Sequence, residues 1–220
     1  MTVDALTLSP YRVPSRQTAR RSWTAAAARH HRTHTLDGSL VPSLSSFVLD
    51  AAAFAAARHA DQRRKHCDGA PYINHLLEVA REISVTAGND DPATLAAALL
   101  HDALEATDST AGEIAERFGA KVAELVLECS DDASLSRKER KQAQIDHAPN
   151  LTPSAKLIKL ADKLCNVRDV RIAPSKKWST KRRKAYVEWA GKVVTALGPV
   201  DDVLEKSFWD ESEAAAQELA

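Results

Sequence analysis

The segment ATLAAALLHDALEA, residues 93–106, constrains the fold of this chain more than any other stretch. Asp91 and Pro92 precede it, and an aspartate cap followed by a first-turn proline is typical of a helix start. Its residues are apolar on nearly every side, and a helix that is apolar all round is buried within its domain. The segment therefore predicts a central helix that carries the adjacent pair His101 and Asp102 late in its length.

The chain from residue 45 onward has the sequence pattern of an all-α domain. Apolar residues recur at spacings of three and four, and alanine is abundant while glycine and aromatic residues are scarce. We predict one helical domain over 45–220, with Ser45 or Ser46 as its first cap, a turn at 66–71 and no strand. The predicted helices cover 45–63, 73–87, 92–106, 110–118, 120–130, 135–147, 153–171, 178–197 and 199–217.

Residues 1–44 differ from the rest of the chain in composition. They hold six arginines against two aspartates, together with three prolines and many serines and threonines. This composition predicts a basic, disordered N-terminal extension. An arginine-rich, acid-poor organelle transit peptide is the alternative, and a short helix over 20–31 is also compatible with the sequence.

Whole-chain charge and cysteine usage exclude several classes of protein. The chain has 30 basic and 30 acidic side chains, so no overall basic field favours nucleic acid as a partner. It has no apolar run long enough to span a bilayer, and we expect no membrane association. Cys67, Cys129 and Cys165 lie apart without metal or redox spacing, which predicts a reducing, cytoplasmic location and no disulfide. These features leave the oligomeric state open.

Four candidate metal ligands fall on three of the predicted helices, and they are His75, His101, Asp102 and Asp162. Two imidazoles and two carboxylates suit Mn²⁺, Fe²⁺ or Zn²⁺. Asp162 lies beside an apolar stripe, where a polar group is costly unless it is paired. Each residue also has an ordinary interpretation: Asp162 could pair with Lys159 or Arg168, and His75 could cap a helix.

Glu105 is a candidate proton acceptor for such a site. It follows His101 by four residues and so lies one helical turn along on the same side. A carboxylate at that position could orient a water whose pKa a metal has lowered, or take its proton. A solvated glutamate at a helix end is the alternative interpretation. Asn166 follows Asp162 by four residues and shares its helix face.

Cationic and aromatic residues accompany these candidates in three segments. Arg63, Arg64 and Lys65 precede Tyr72, the segment SRKERK spans 136–141, and Trp178, Arg182 and Tyr186 follow one another at intervals of four. Cationic side chains bind phosphates and aromatic faces stack on bases, although a solvated charged face is the commoner use of such runs. The residues by themselves therefore favour a metal-dependent hydrolase of a phosphorylated nucleotide.

Several separated motifs resemble one known family. The segments RRKHCDGAPYINH, AALLHDALEAT and AKLIKLADKLCNVRD are similar to the hydrolase domain of RelA/SpoT proteins in the HD superfamily, in particular to its single-domain small alarmone hydrolases. The resemblance covers about residues 45–205 and extends to ERKQAQIDHAP (139–149) and WSTKRRKAYVEWAGKVV (178–194).

The resemblance implies a fold, a reaction and roles for particular residues. It implies an all-helical HD bundle around a central Mn²⁺, and removal of the 3′-pyrophosphate of (p)ppGpp to give GDP or GTP. The implied metal ligands are His75, His101, Asp102 and Asp162. The implied catalytic residues are Glu105 and Asn166. The implied substrate-binding residues are Arg64, Lys65, Tyr72, Asn166, Arg182 and Tyr186.

Two positions depart from the family pattern. The family sequence HDxxED reads HDALEA here, so Ala106 replaces an acid, and PYIxHP reads PYINHL, so Leu76 replaces a proline. Loss of one group from a catalytic unit can lower a rate by orders of magnitude. The sequence therefore leaves three hypotheses open: an alarmone hydrolase, a hydrolase of ppApp or of the 2′-phosphate of NADPH, and a nucleotide-binding protein with weakened turnover.

Overall fold

Ten α-helices form the regular structure of residues 44–220, the part of the chain that the computed structural model describes. The expected basic extension, apart from Leu44, and the short helix over 20–31 lie outside this part. The prediction of an all-α fold is confirmed. The helices are α1 (Leu44–Arg58), α2 (Ile73–Arg81), α3 (Pro92–Leu100), α4 (Ala103–Ala106), α5 (Ala111–Phe118), α6 (Ala120–Cys129), α7 (Arg137–His147), α8 (Pro153–Ile172), α9 (Thr180–Leu197) and α10 (Asp202–Glu218).

Helix α3 is the buried central helix that its sequence predicts. The Asp91 carboxylate caps it by accepting a hydrogen bond from the Thr94 amide at 3.1 Å, and Pro92 occupies the first turn. Every residue from Thr94 to Leu100 is buried. The helix packs against α1, α2, α6 and α8, so apolar side chains are needed on all of its sides.

The predicted helix over 92–106 is interrupted at the His101–Asp102 pair. Helix α3 ends at Leu100, and α4 begins at Ala103 after Asp102, whose backbone dihedrals are φ −95° and ψ 0°. These values lie in the sparsely populated bridge region, which breaks the regular hydrogen bonding. The pair therefore stands at a junction between two helices rather than inside one.

The first helix also differs from its prediction at both ends. It begins at Leu44, so Ser45 and Ser46 lie in its first turn, and it ends at Arg58 rather than near residue 63. The backbone after it folds back on itself instead, with the Arg64 amide donating to the Ala70 carbonyl at 2.9 Å. These loop hydrogen bonds satisfy backbone groups that a longer helix would have used.

Helix α8 is the longest helix of the described residues and contacts α2, α3, α6, α9 and α10. The Thr152 side chain caps it, and thirteen of its twenty residues are buried. Two of its arginines hold the C-terminal helix: Arg168 and Arg171 both pair with Glu211 of α10. Polar and apolar contacts thus fix this one helix on every side.

Two further features bear on the predicted environment of the chain. All three cysteines are unpaired, as their spacing predicts. No helix among residues 44–220 has the length and apolar character that a membrane crossing requires.

Truncating the central helix should destabilise the whole domain. We expect Leu99→Ala, at a side chain that is 1% exposed, to lower the free energy of unfolding by about 2–5 kcal/mol, because a cavity remains at the core. Leu127→Ala, at a helical leucine that is 52% exposed, should cost less than about 1 kcal/mol. Urea denaturation followed by circular dichroism measures both, and equal losses would contradict the central position of α3.

Candidate active site

Three of the four candidate ligands converge in the structure. His75 of α2, His101 at the end of α3 and Asp162 of α8 each present a ligand atom, and these atoms all lie within 4.8 Å of one another. Asp162 Oδ1 is 3.1 Å from His75 Nε2 and 3.6 Å from His101 Nε2. All three side chains are buried. We call these residues the ligand cluster.

The ligand cluster has the donor chemistry that a divalent cation needs. His101 Nδ1 lies 2.8 Å from the Ala98 carbonyl, so in the neutral ring Nδ1 carries the proton and Nε2 has the lone pair that a cation would use. Nε2 is buried and has no hydrogen-bond partner. Burial lowers the pKa of His101, but Asp102 and Asp162 outweigh it and raise that pKa to about 9. Two imidazoles beside carboxylates in a buried position fit a divalent transition-metal cation.

Asp102 lies next to the ligand cluster, with Oδ2 at 3.4 Å from His101 Nε2. The same oxygen accepts a hydrogen bond from the Tyr72 hydroxyl at 2.6 Å. Burial and the Asp102 charge together raise the pKa of the Tyr72 hydroxyl, which keeps it a donor. Tyr72 also stacks on the buried His59 ring, with the ring centroids 5.1 Å apart. Its hydrogen bond to Asp102 places this residue, which the sequence predicts to bind substrate, beside the ligand cluster.

Asp162 is held by Lys163, a contact that the sequence interpretation missed. Its Oδ2 accepts from Lys163 Nζ at 2.8 Å. Burial opposes ionisation of Asp162, but the Lys163 charge and the two histidines outweigh it and lower the carboxyl pKa well below its usual range. The predicted alternative pairing is wrong, because Lys159 donates to the Cys129 carbonyl and Arg168 pairs with Glu82.

The other predicted ordinary role is also wrong: His75 lies inside α2 and makes no cap. Its Nδ1 is buried without a hydrogen-bond partner, while its Nε2 faces Asp162. The sequence signal for the contact between Lys163 and Asp162 was that the two residues are adjacent. The contact was not predicted, because neighbouring residues of a helix point in different directions.

Asn166 and Arg64 form a second layer behind the ligand cluster. Asn166 donates to Asp162 Oδ1 at 2.6 Å and accepts from Arg64 Nη2 at 2.9 Å. Arg64 is buried and forms a salt bridge with Asp169 at 2.6 Å. Lys65, the next residue, is exposed. Of the two adjacent cations predicted to bind substrate here, Arg64 is therefore engaged inside the protein and Lys65 faces solvent.

A cavity of about 430 Å³ lies among α4, α7, α9 and the loop after α6. We call it the basic–aromatic cavity. Lys163 connects it to the ligand cluster, because its Nζ lies 5.0 Å from the ring centroid of Trp189 in the cavity wall. The charged and aromatic lining residues are Glu105, Asp131, Arg137, Arg140, Lys141, Tyr186 and Trp189.

The aromatic wall continues from the cavity along α9. Tyr186 contacts Trp189 with ring centroids 5.4 Å apart and Trp178 at 5.6 Å. The Arg182 guanidinium lies 4.2 Å from the Trp178 ring centroid. The residues spaced by four in the sequence thus form one row, and Trp189 extends it. The sequence interpretation missed Trp189, although its position three residues after Tyr186 places it on the same helix face.

Glu105 is exposed to solvent, and it also lines the basic–aromatic cavity. Its Oε1 accepts a hydrogen bond from the Asp131 amide at 2.7 Å. Desolvation, together with the charges of Asp131 and Asp102, raises the pKa of its carboxyl group. Ala106 adds no polar side chain, and its carbonyl accepts a hydrogen bond from the Gln62 amide group. Helix α4 therefore presents one carboxylate to the cavity.

Comparison with known proteins identifies the family. The family model described as HD domain matches residues 51–191. A human protein named guanosine-3′,5′-bis(diphosphate) 3′-pyrophosphohydrolase MESH1 is 48% identical over 161 residues, which cover 73% of this chain and 90% of that protein. The MESH1 protein of Drosophila melanogaster is 42% identical over 161 residues, which again cover 73% of this chain and 90% of the relative.

Solved structures agree with the sequence relatives. One described as "A metazoan ortholog of SpoT hydrolyzes ppGpp and plays a role in starvation responses" superposes with a TM-score of 0.76 at 38% identity. The superposition covers 83% of this chain and 100% of the solved chain. The resemblance drawn from the motifs and the HD-type helical fold are thereby confirmed. This chain belongs to the HD-domain family, within the group that contains the MESH1 pyrophosphohydrolases.

Proposed function

We propose that this chain is a metal-dependent hydrolase that removes the 3′-pyrophosphate of guanosine alarmones. One observation carries the proposal: the ligand cluster adjoins a cavity with cationic and aromatic walls, in a chain whose relatives bear the name of that activity. In the reaction, water attacks phosphorus, the bond to the ribose 3′ oxygen breaks, and pyrophosphate leaves GDP or GTP behind.

We infer that Mn²⁺ is the resident cation, held by His75, His101, Asp102 and Asp162. Mixed imidazole and carboxylate donors suit this metal, and the orphan Nε2 of His101 supplies a donor that no protein group uses. When bound, such a cation polarises a phosphoryl oxygen and favours deprotonation of water. The Tyr72 hydroxyl and the Lys163 ammonium hold the two carboxylates, which keeps the donor atoms in place.

The remaining residues act on water and on the nucleotide. Glu105 accepts the proton of the attacking water, for which a raised carboxyl pKa is suited. Asn166 keeps Asp162 oriented, and Arg64 supports it from behind. Trp178, Arg182 and Tyr186 stack on the base, while Lys65 at the surface attracts the phosphates.

Three residues of the cationic segment SRKERK bear on phosphate binding. Arg137, Arg140 and Lys141 of α7 line the basic–aromatic cavity. Their charges would neutralise a pyrophosphate group, which carries several negative charges at neutral pH. We propose a small-molecule nucleotide as the partner of this site and, from the three free thiols, a cytoplasmic location.

Ala106 favours a second candidate function. A protein with one carboxylate where its family has two could bind nucleotide and metal yet turn over slowly. Tight binding of ppGpp in calorimetry without any release of product would support this second function over the first.

The purified chain should release pyrophosphate from ppGpp when Mn²⁺ is present. His101→Ala should lower kcat/KM at least about 100-fold, because a ligand is lost. His147→Ala, at an exposed histidine of α7, is the matched control and should retain the wild-type rate. Removing metal with a chelator should stop the reaction, and added Mn²⁺ should restore it. Equal rates for wild type and His101→Ala would contradict the proposal.

A substrate panel separates hydrolases that share this scaffold. We expect kcat/KM to be highest for ppGpp among ppGpp, ppApp and NADPH, each assayed with the same enzyme and Mn²⁺. Aromatic side chains stack on guanine and on adenine alike, so the assay is needed to show which base the enzyme prefers. A higher kcat/KM for NADPH, with release of inorganic phosphate, would replace the proposed substrate while leaving the metal site unchanged.

Metal binding should be visible without any substrate. At about a hundredfold its Kd, Mn²⁺ should raise the Tm of the wild type by about 5–10 °C, because it binds only the folded chain. Asp162→Asn should shift by less than about 2 °C, and Asp210→Asn, at an exposed aspartate of α10, should shift like the wild type. Where Asp162→Asn does not fold, His101→Ala replaces it. A full shift in either ligand variant would contradict the proposed ligands.

A further inference from the structure

Helix α4 carries only one of the two acids that the HDxxED pattern would give it. Glu105 is present, but the next residue is Ala106, whose carbonyl is engaged by Gln62. Proton transfer from water is more effective when the accepting carboxylate is held in position and its pKa lies nearer the working pH. Another part of the chain has to supply this positioning if the site is to work.

The loop after α6 brings a second carboxylate to Glu105. Asp131 lies just beyond Ser130, which ends that helix, and its amide donates to Glu105 Oε1 at 2.7 Å. Both residues line the basic–aromatic cavity. The loop thus contacts the one carboxylate of α4 at the wall of the cavity.

The Asp131 carboxylate is itself fixed. Gln144 of α7 donates from Nε2 to both of its oxygens, at 2.8 and 3.0 Å. This side-chain contact anchors the loop, while the main-chain amide fixes Glu105. Two hydrogen-bonding groups of one residue therefore connect α4 to α7, and the negative charge of Asp131 is held near Glu105.

The charge of Asp131 acts on its neighbours. Desolvation is the main cause of the raised pKa of Glu105; the hydrogen bond from the Asp131 amide lowers this pKa, while the charges of Asp131 and Asp102 raise it. Asp131 also contributes to the raised pKa of Lys163, although Asp162 has the larger effect there. The charged groups that face Glu105 are Asp102, Asp131, Lys159 of α8 and, across the cavity, Arg137, Arg140 and Lys141 of α7.

We infer that Asp131 is the positioning residue for Glu105 and supplies the second carboxylate of the cavity, the place that Ala106 leaves empty. The inference rests on the proposed function, in which Glu105 accepts a proton from the attacking water. The Asp131 amide directs Glu105 to the cavity, and the Asp131 carboxylate keeps a negative charge beside it. Desolvation and the neighbouring negative charges outweigh the hydrogen bond from the Asp131 amide and raise the carboxyl pKa, so Glu105 is a stronger base than an isolated glutamate.

Asp131→Asn tests the charge, since asparagine keeps the main-chain amide and can still bond to Gln144. We expect kcat for ppGpp to fall about 10- to 100-fold while KM does not rise, because a negative charge leaves a cavity that receives an anion. Loss of the Asp131 charge favours the ionised form of Glu105 and therefore lowers the Glu105 pKa. In a plot of kcat against pH, the acidic limb should then move to lower pH. A purely structural role would leave that limb in place.

Asp132→Asn is the matched control. Asp132 is the next residue and is exposed, and its carboxylate accepts hydrogen bonds from Ser134 of its own loop. Its variant should keep kcat and KM within about threefold of the wild-type values. The acidic limb of its pH profile should stay within about 0.2 pH units of that of the wild type. If Asp131→Asn behaves like Asp132→Asn, the inference is wrong.

Restoring an acid on α4 provides a second, independent test. Ala106→Asp should raise kcat at least about tenfold in the Asp131→Asn background but less than about threefold in the wild type, because there the place is already filled. Equal gains in both backgrounds would mean that the two positions act independently, and would overturn the inference.

The outcomes also separate this inference from the proposed function. If the wild type hydrolyses ppGpp and Asp131→Asn does so equally well, the inference fails while the function stands. If neither hydrolyses any nucleotide of the panel, the proposed function fails. If Asp131→Asn does not fold, Gln144→Met frees the Asp131 carboxylate instead. It should lower kcat at least about threefold, and an unchanged kcat would overturn the inference.

Discussion

The buried carboxylate of Asp162 is the constraint on which the rest of the site depends. A charged group taken out of water is costly unless hydrogen bonds and opposite charges compensate it. Here Lys163 and Asn166 approach from its own helix and His75 and His101 from two others. The three helices meet at this point, and moving α2 or α3 away would remove one of the histidines that compensate the buried carboxylate.

The same requirement is repeated along α8. Asp169 is buried and pairs with Arg64 of the loop after α1, and Arg168 pairs with the buried Glu82 after α2. Breaking one partner of a buried pair is typically more destabilising than replacing both, because a charge is left without compensation. Helix α8 therefore joins the N-terminal and C-terminal helices of the described chain through specific partners as well as through apolar packing, which by itself has little directional preference.

Much of the fold could be predicted from the sequence because it depends on local signals. The cap and proline before α3 and the apolar run within it gave its position, and the separated motifs gave the candidate ligands. The early end of α1 could not be predicted, because the loop after it forms backbone hydrogen bonds of its own. The break at Asp102 has no signal in the local sequence, and the side chain there bonds to Tyr72, thirty residues away. Lys163 and Asp131 were missed for the same reason, since their roles depend on partners that lie far away in the sequence or point in an unexpected direction.

The loop between α1 and α2 is attached to the segment before α9. The Cys67 amide donates to the Ala173 carbonyl at 2.9 Å, and the Ser175 amide donates to His66 Nδ1 at the same distance. Both hydrogen bonds join residues that are more than a hundred positions apart in the chain. Contacts between residues so far apart in the chain form slowly, because the entropy cost of closing the loop comes before the contact is made. The aromatic wall and the ligand cluster should therefore become ordered late and together during folding, after local helix pairs such as α5 and α6 have formed.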